Sequence, residues 1–147
     1  MPVDLDVREA LLTTVTALWF DIDHRNGANA AGFFTPDAEL RFSAASFRGT
    51  AAIEDVYANR AARGPRVSRH IVTNLHVIEH RLHRARAVSV LLLFAEDGEA
   101  PRPSTAPTLI ADVYDQFEHR DGRWLIDSRR IENLFIDPAT QLAVPTK

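Results

Sequence analysis

The run Ala87-Val88-Ser89-Val90-Leu91-Leu92-Leu93-Phe94 is apolar at odd and even positions alike, so a strand built from it shows apolar side chains on both faces. A sheet that holds such a strand must be covered twice. Helices can supply one cover. Leu5, Val7, Leu11, Leu12, Val15, Leu18 and Trp19 recur at helical spacing, which predicts a long first helix reaching about Arg25, with Asp4 or Asp6 as its cap. Asn26 and Gly27 break it before a short second helix over residues 28–34, which Thr35-Pro36-Asp37 ends. A strand follows at residues 38–43, then a tight turn near Arg48-Gly49. A third helix, capped by Thr50, extends to about Ala62 and is stopped by Gly64-Pro65.

Four long strand patterns come next, at about residues 66–79, 84–95, 108–119 and 123–135, joined by turns at residues 80–83 and at Arg120-Asp121-Gly122. Hairpin connections make the sheet antiparallel. Residues 96–107, with Gly98 and three prolines, read as a surface loop. Helices gathered ahead of a strand meander predict an α+β layer architecture with helices over one face of a curved sheet. The second face of the central strand needs its own cover, and a second copy of the same sheet is the simplest one. The expectation is a homo-oligomer, a dimer through the sheet. A chain of 147 residues suits a single domain, spanning 1–147, that buries about two-thirds of the surface its unfolded form exposes.

Charge and composition exclude several classes. Lys+Arg 17 against Asp+Glu 20 leaves a net charge of -3 and no footprint for a polyanion, so nucleic acid is not an expected partner. Cysteine is absent, which removes disulfides, thiolate nucleophiles and zinc-thiolate sites. The stretch MPVDLDVREA is acidic where a secretory signal is basic, and no apolar run approaches the roughly 20 residues that span a bilayer. No membrane association is expected, and the cytoplasm is the expected location.

Two short segments carry the chemistry: WFDIDHRN at residues 19–26 and SRHIVTN at residues 68–74. An imidazole held by a carboxylate in an apolar pocket is a minimal proton-transfer device that needs neither metal nor cofactor. Asp23 and His70 are the candidates, with His70 as general base and Asp23 fixing its tautomer. Asp21 competes for the acid role. Strict alternation also puts Val67, Ile71, Leu75 and Val77 on one face and Ser68, His70, Val72, Asn74 and His76 on the other. Either face can look toward the helices, and the residues alone leave both arrangements open. Trp19, Phe34 and Phe42 are aromatic at inward positions, as core packing or as the lining of a ligand cavity. His76, His80 and His83 would share a face only on a helix, so no metal site is expected where they read as strand and turn. Phosphate-binding glycine loops and serine-hydrolase elbows are absent.

The element order, together with FFTPDAEL at residues 33–40, FRG at 47–49, SRHIVTN, and FEHRDGRWLIDSRR at 117–130, resembles the SnoaL-like branch of the nuclear transport factor two-like superfamily. The resemblance covers nearly the whole chain. It implies a cone-shaped α+β roll of the cystatin-like kind, a curved mixed or antiparallel sheet with three helices from the first half enclosing a cavity. Within that superfamily, IDHRNGANAAGFFTPDAE is similar to the scytalone dehydratase and hexachlorocyclohexane dehydrochlorinase branch. That likeness implies an acid at Asp23 partnering a histidine at His70, and an assisting arginine at Arg129, beside the neighbouring Arg130. The tyrosines that scytalone dehydratase uses have no evident match, and Trp19 and Phe20 stand where polar groups could be. What the resemblance implies is a cofactor-independent lyase, dehydratase, isomerase or cyclase acting on a small apolar ring compound. The alternative is a binding or assembly module of the same fold, including a dioxygenase small-subunit-like role.

Overall fold

The computed structural model describes residues 4–139. The Asp4 carboxylate opens helix α1 (Leu5–Arg25) by accepting from the backbone N–H groups of Asp6 and Val7, donors that a first turn leaves without intrahelical partners. Leu11, Val15, Leu18, Trp19 and Ile22 follow at steps of one to four residues and are all buried, so α1 lays a single stripe on the sheet. Asn26, in the left-handed region at φ 54°, ends the helix. A Cβ on the next residue, Gly27, would sit 2.9 Å from the Cβ of Tyr57, so glycine is what lets the second helix pack against this corner.

The chain then departs from the sequence expectation. Residues 28–34 hold only a 3-10 turn, Ala30–Phe33, and the strand expected at 38–43 starts earlier, as β1 (Phe34–Phe42). The Thr35-Pro36 step accounts for this, because the residue before proline is pushed to extended backbone and the signal that stops a helix here starts a strand. A short β2 (Ala45–Arg48), not expected from the sequence, runs up to the bend at Gly49, and helix α2 (Thr50–Ala62) has Gly49 rather than Thr50 at its cap position. The described residues therefore contain two α-helices, not three.

The remaining strands are β3 (Arg66–Arg81), β4 (Arg84–Asp97), β5 (Leu109–Arg120) and β6 (Arg123–Ile136). They form one six-stranded sheet in the order β2-β1-β6-β5-β4-β3. Hairpins join β3 to β6 as expected, but β1 pairs with β6 in parallel, so the sheet is mixed rather than wholly antiparallel. The β1–β6 register slips between Phe34 and Glu39, the stretch where Pro36 lacks an N–H to give the ladder. In β4, Ala87, Leu91, Leu93 and Ala95 are buried, while Val88, Val90, Leu92 and Phe94 are half-buried on the opposite face.

One extra residue decides what β3 shows the helices. Thr73 pairs with Val90 and His76 with Val88, so β3 takes three steps where β4 takes two, and Asn74 absorbs the surplus at φ 54°. Alternation therefore restarts at the bulge. Ser68, His70 and Val72 before it lie on the same side as Leu75 and Val77 after it, and Ile71 points outward, 48% exposed. The apolar face read from strict alternation does not exist as a unit.

Candidate active site

Because of that bulge, His70 faces α1 and meets Asp23, the two side chains being 10% and 5% exposed. His70 Nδ1 lies 2.7 Å from Asp23 Oδ1, and the His70 backbone N–H donates to Asp23 Oδ2 at 2.8 Å. The Ser68 hydroxyl also donates to Oδ1, at 2.7 Å. Three donors thus fix the carboxylate. Burial works to raise the Asp23 pKa, but the hydrogen bonds and charge interaction of His70, with help from Ser68, outweigh it and leave the pKa lowered. At His70, by contrast, burial dominates, lowering its pKa below the usual 6.5 despite the opposing pull of Asp23. An ionised Asp23 beside a neutral imidazole accepts a hydrogen bond from Nδ1–H, which keeps the ring proton on Nδ1 and leaves Nε2 with its lone pair. Nε2 has no hydrogen bond among the described residues.

The competitor, Asp21, is committed elsewhere. Its carboxylate accepts from the backbone and side-chain N–H groups of Asn29, at 3.0 and 3.3 Å, and ties the corner after α1.

His70 lines a pocket of about 80 Å³ together with Trp19, Phe42, Tyr57, Arg60, Arg66, Leu91, Leu93, Leu109, Ile131 and Asn133, among others. That volume holds several waters or a small ligand. Trp19 stacks flat on His70, with ring centroids 4.3 Å apart. Phe42 is in the wall. Phe34 is not: it is 5% exposed in the core.

Arg129 is fully buried, and its Nε and Nη2 donate to the two oxygens of Asp115 at 2.7 and 2.8 Å. Its guanidinium carbon sits 4.7 Å from the Trp19 ring centroid, in a cation–π contact, and Nη1 has no partner among the described residues. Arg129 touches the pocket wall without lining the pocket. Arg130 points the other way, over Tyr114 and paired with Glu132. Alternation puts these neighbours on opposite faces, and a register slip at Asp127 sets which one is inward: Phe117 pairs with Ile126 but Gln116 with Ser128, so the inward series runs Ile126, Arg129, Ile131, Asn133.

Four pocket groups escaped the sequence reading as functional residues. Arg60, 7% exposed, donates to Ser68 Oγ at 2.9 Å and so stands behind Asp23 through one hydroxyl. Helical spacing from Ile53 and Tyr57, both buried, is the signal that would have placed it inward. Ser68 lay inside the motif but passed as scenery. Tyr57 is buried, and its phenol is pushed up to about 12, chiefly by that burial, so it stays a neutral donor. Asn133 carries an amide whose two polar atoms are buried without partners among the described residues.

His80 packs edge-on to Trp124 and His83 stacks on His119, and no group of three metal-ligating side chains occurs among the described residues. No helix there is long and apolar enough to cross a membrane.

A family model described as a SnoaL-like domain matches residues 3–130. Among solved structures, a provisionally named scytalone dehydratase from Novosphingobium aromaticivorans aligns with a TM-score of 0.81 at 18% identity, covering 97% of this chain and 93% of its own. ActVI-ORFA from Streptomyces coelicolor aligns at 0.74 and 21% identity, covering 87% of this chain and 98% of its own. A cystatin-like-fold protein of unknown function from Nostoc punctiforme gives 0.75 and 19%, covering 95% and 97%. At such identities the likeness establishes the fold. Among curated proteins none matches the sequence.

Proposed function

Since the chain belongs to the SnoaL-like domain family, a family that includes cofactor-independent enzymes, we propose that its pocket is an acid–base active site for a small, largely apolar ring compound. One observation carries this reading: His70 Nδ1 is held by Asp23 at 2.7 Å while the imidazole lines the pocket with Nε2 unengaged among the described residues. Nε2 takes a proton from a substrate carbon, and the Asp23 carboxylate steadies the imidazolium that results. The electron pair released from the C–H bond forms a double bond as a β-hydroxyl or halide departs. A departing hydroxyl receives the proton from His70 and leaves as water, whereas in an isomerisation the same proton returns to a different carbon. The scheme calls on no metal or cofactor.

Trp19 and Phe42 form the apolar wall against which a ring would pack. Arg129 acts at a distance, its charge opposing protonation of His70. Its buried unpartnered Nη1 adds positive potential where negative charge develops in the transition state. The hollow between the helices and the sheet is read as the cavity of a cone-shaped roll. A second copy is the proposed cover of the half-buried strip Val88, Val90, Leu92 and Phe94 on the outer face. Sedimentation of the protein and of Leu92→Glu tests that cover, a monomeric parent removing it.

His70→Gln tests the chemistry on a panel of cyclic ketones, alcohols and halides. Turnover should fall by roughly 10²–10⁴ with ligand binding retained. Unchanged turnover would remove the base assignment, and a pocket that binds the panel without converting any member would favour a binding module.

A further inference from the structure

We propose that the ligand of this pocket carries a carboxylate and that Arg60 pairs with it; the proposal rests on reading the pocket as the active site and adds the charge of its substrate. Three arginine side chains are buried around the pocket, and they are not equally satisfied. Arg129 grips both oxygens of Asp115, and Arg66 donates to Asp97 at 2.7 Å. Arg60 has no carboxylate within ion-pair distance among the described residues. Its partners are the Ser68 hydroxyl at 2.9 Å and, at 3.5 Å, the carbonyl of Ile22.

A guanidinium keeps its proton in any protein environment, so Arg60 is a charge held in the interior with its counterion missing. Burial works against it, which its lowered pKa reflects. The carboxylate of Asp23 relieves part of that cost from behind Ser68, but its oxygens already accept from three donors. Among the described residues no Asp or Glu lines the pocket, whereas Arg60 and Arg66 both do. The planar fork of Arg60 suits a carboxylate, and the apolar wall suits a hydrocarbon body attached to it. Asn133, whose amide is buried and unpartnered in the same wall, offers a second polar contact to such a ligand.

The probes are benzoate, cyclohexanecarboxylate and 2-naphthoate, each compared with its primary amide, which keeps the outline and lacks the charge. Binding is measured by calorimetry at a pH where His70 is neutral. At least one acid should bind tighter than its amide by roughly tenfold or more, the worth of one charge-assisted contact. Arg60→Gln should abolish the preference and Arg60→Lys should weaken it. Equal binding of acids and amides, a preference that survives Arg60→Gln, or no binding by any of the acids overturns the proposal. Should Arg60→Gln fail to fold by circular dichroism, Arg60→Lys decides, an undiminished preference being the contrary result. His70→Gln should keep the acid preference, so a failure of the proposed chemistry and a failure of this inference are read separately.

Discussion

The indole of Trp19 lies parallel to the imidazole of His70, their planes within 3° and their centroids 4.3 Å apart. The same indole carries the guanidinium of Arg129 at 4.7 Å. One aromatic side chain from α1 thus orients the base and braces the buried cation of β6.

Trp19→Ala should therefore damage fold and site together. Loss of a buried tryptophan costs about 3–5 kcal/mol, read from urea unfolding. Trp19→Phe, which restores part of the stack, should recover most of the stability and some of the turnover. A Trp19→Ala protein as stable as the parent would show that the stack holds nothing in place.

Acid should weaken the protein in two stages. His70 has a lowered pKa in the folded state, because burial outweighs the pull of Asp23, so below 6.5 the unfolded chain binds this proton first and stability declines with falling pH. Asp23 is also lowered, its hydrogen bonds from His70 and Ser68 outweighing burial, so a further decline begins below 3.8. Stability from both groups is whole above 6.5. Denaturant midpoints taken across this range should show the upper step in the parent and not in His70→Gln. The rate at low substrate should rise with pH through one ionisation lying below 6.5, since the base must be neutral. A rate that falls with rising pH in that range would contradict a neutral His70 base.

The Arg129–Asp115 pair should show strong coupling. Asp115→Leu or Arg129→Met alone leaves a buried group uncompensated and should cost about 3–5 kcal/mol. The double change Asp115→Leu with Arg129→Met removes both charges and should cost less than either single change, measured by a double-mutant cycle. Additive losses would show that the two side chains act independently.

How far the sequence disclosed this arrangement depended on where the chain keeps its period. The helical stripe of α1 and the hairpins of β3 to β6 stood out because their spacing is regular over many residues. Asp23 and His70 stood out as residue types in the right elements. Their facing did not, because a single inserted residue at Asn74 reverses the alternation and no composition signal marks it. A comparable slip near Asp127 turns Arg129 inward and Arg130 outward. The parallel pairing of β1 with β6 was hidden for another reason: it joins segments about 90 residues apart, and nothing in either one specifies its neighbour.

Asn133 offers the sharpest separation of ligand recognition from folding. Its amide is buried with both polar atoms unpartnered among the described residues, and it lines the pocket beside His70. An unsatisfied buried polar group costs roughly 1–3 kcal/mol, so Asn133→Leu removes a penalty and adds apolar contact. Its melting temperature should hold or rise. If the amide is kept for a bound molecule, the same change should weaken binding of the pocket's ligand by about tenfold, the value of one well-made contact in a dry site. Calorimetry on the parent and on Asn133→Leu reads both quantities. A variant that loses stability while binding as before would place the amide in the service of the fold, and a variant that gains stability and loses affinity would place it in the service of the ligand.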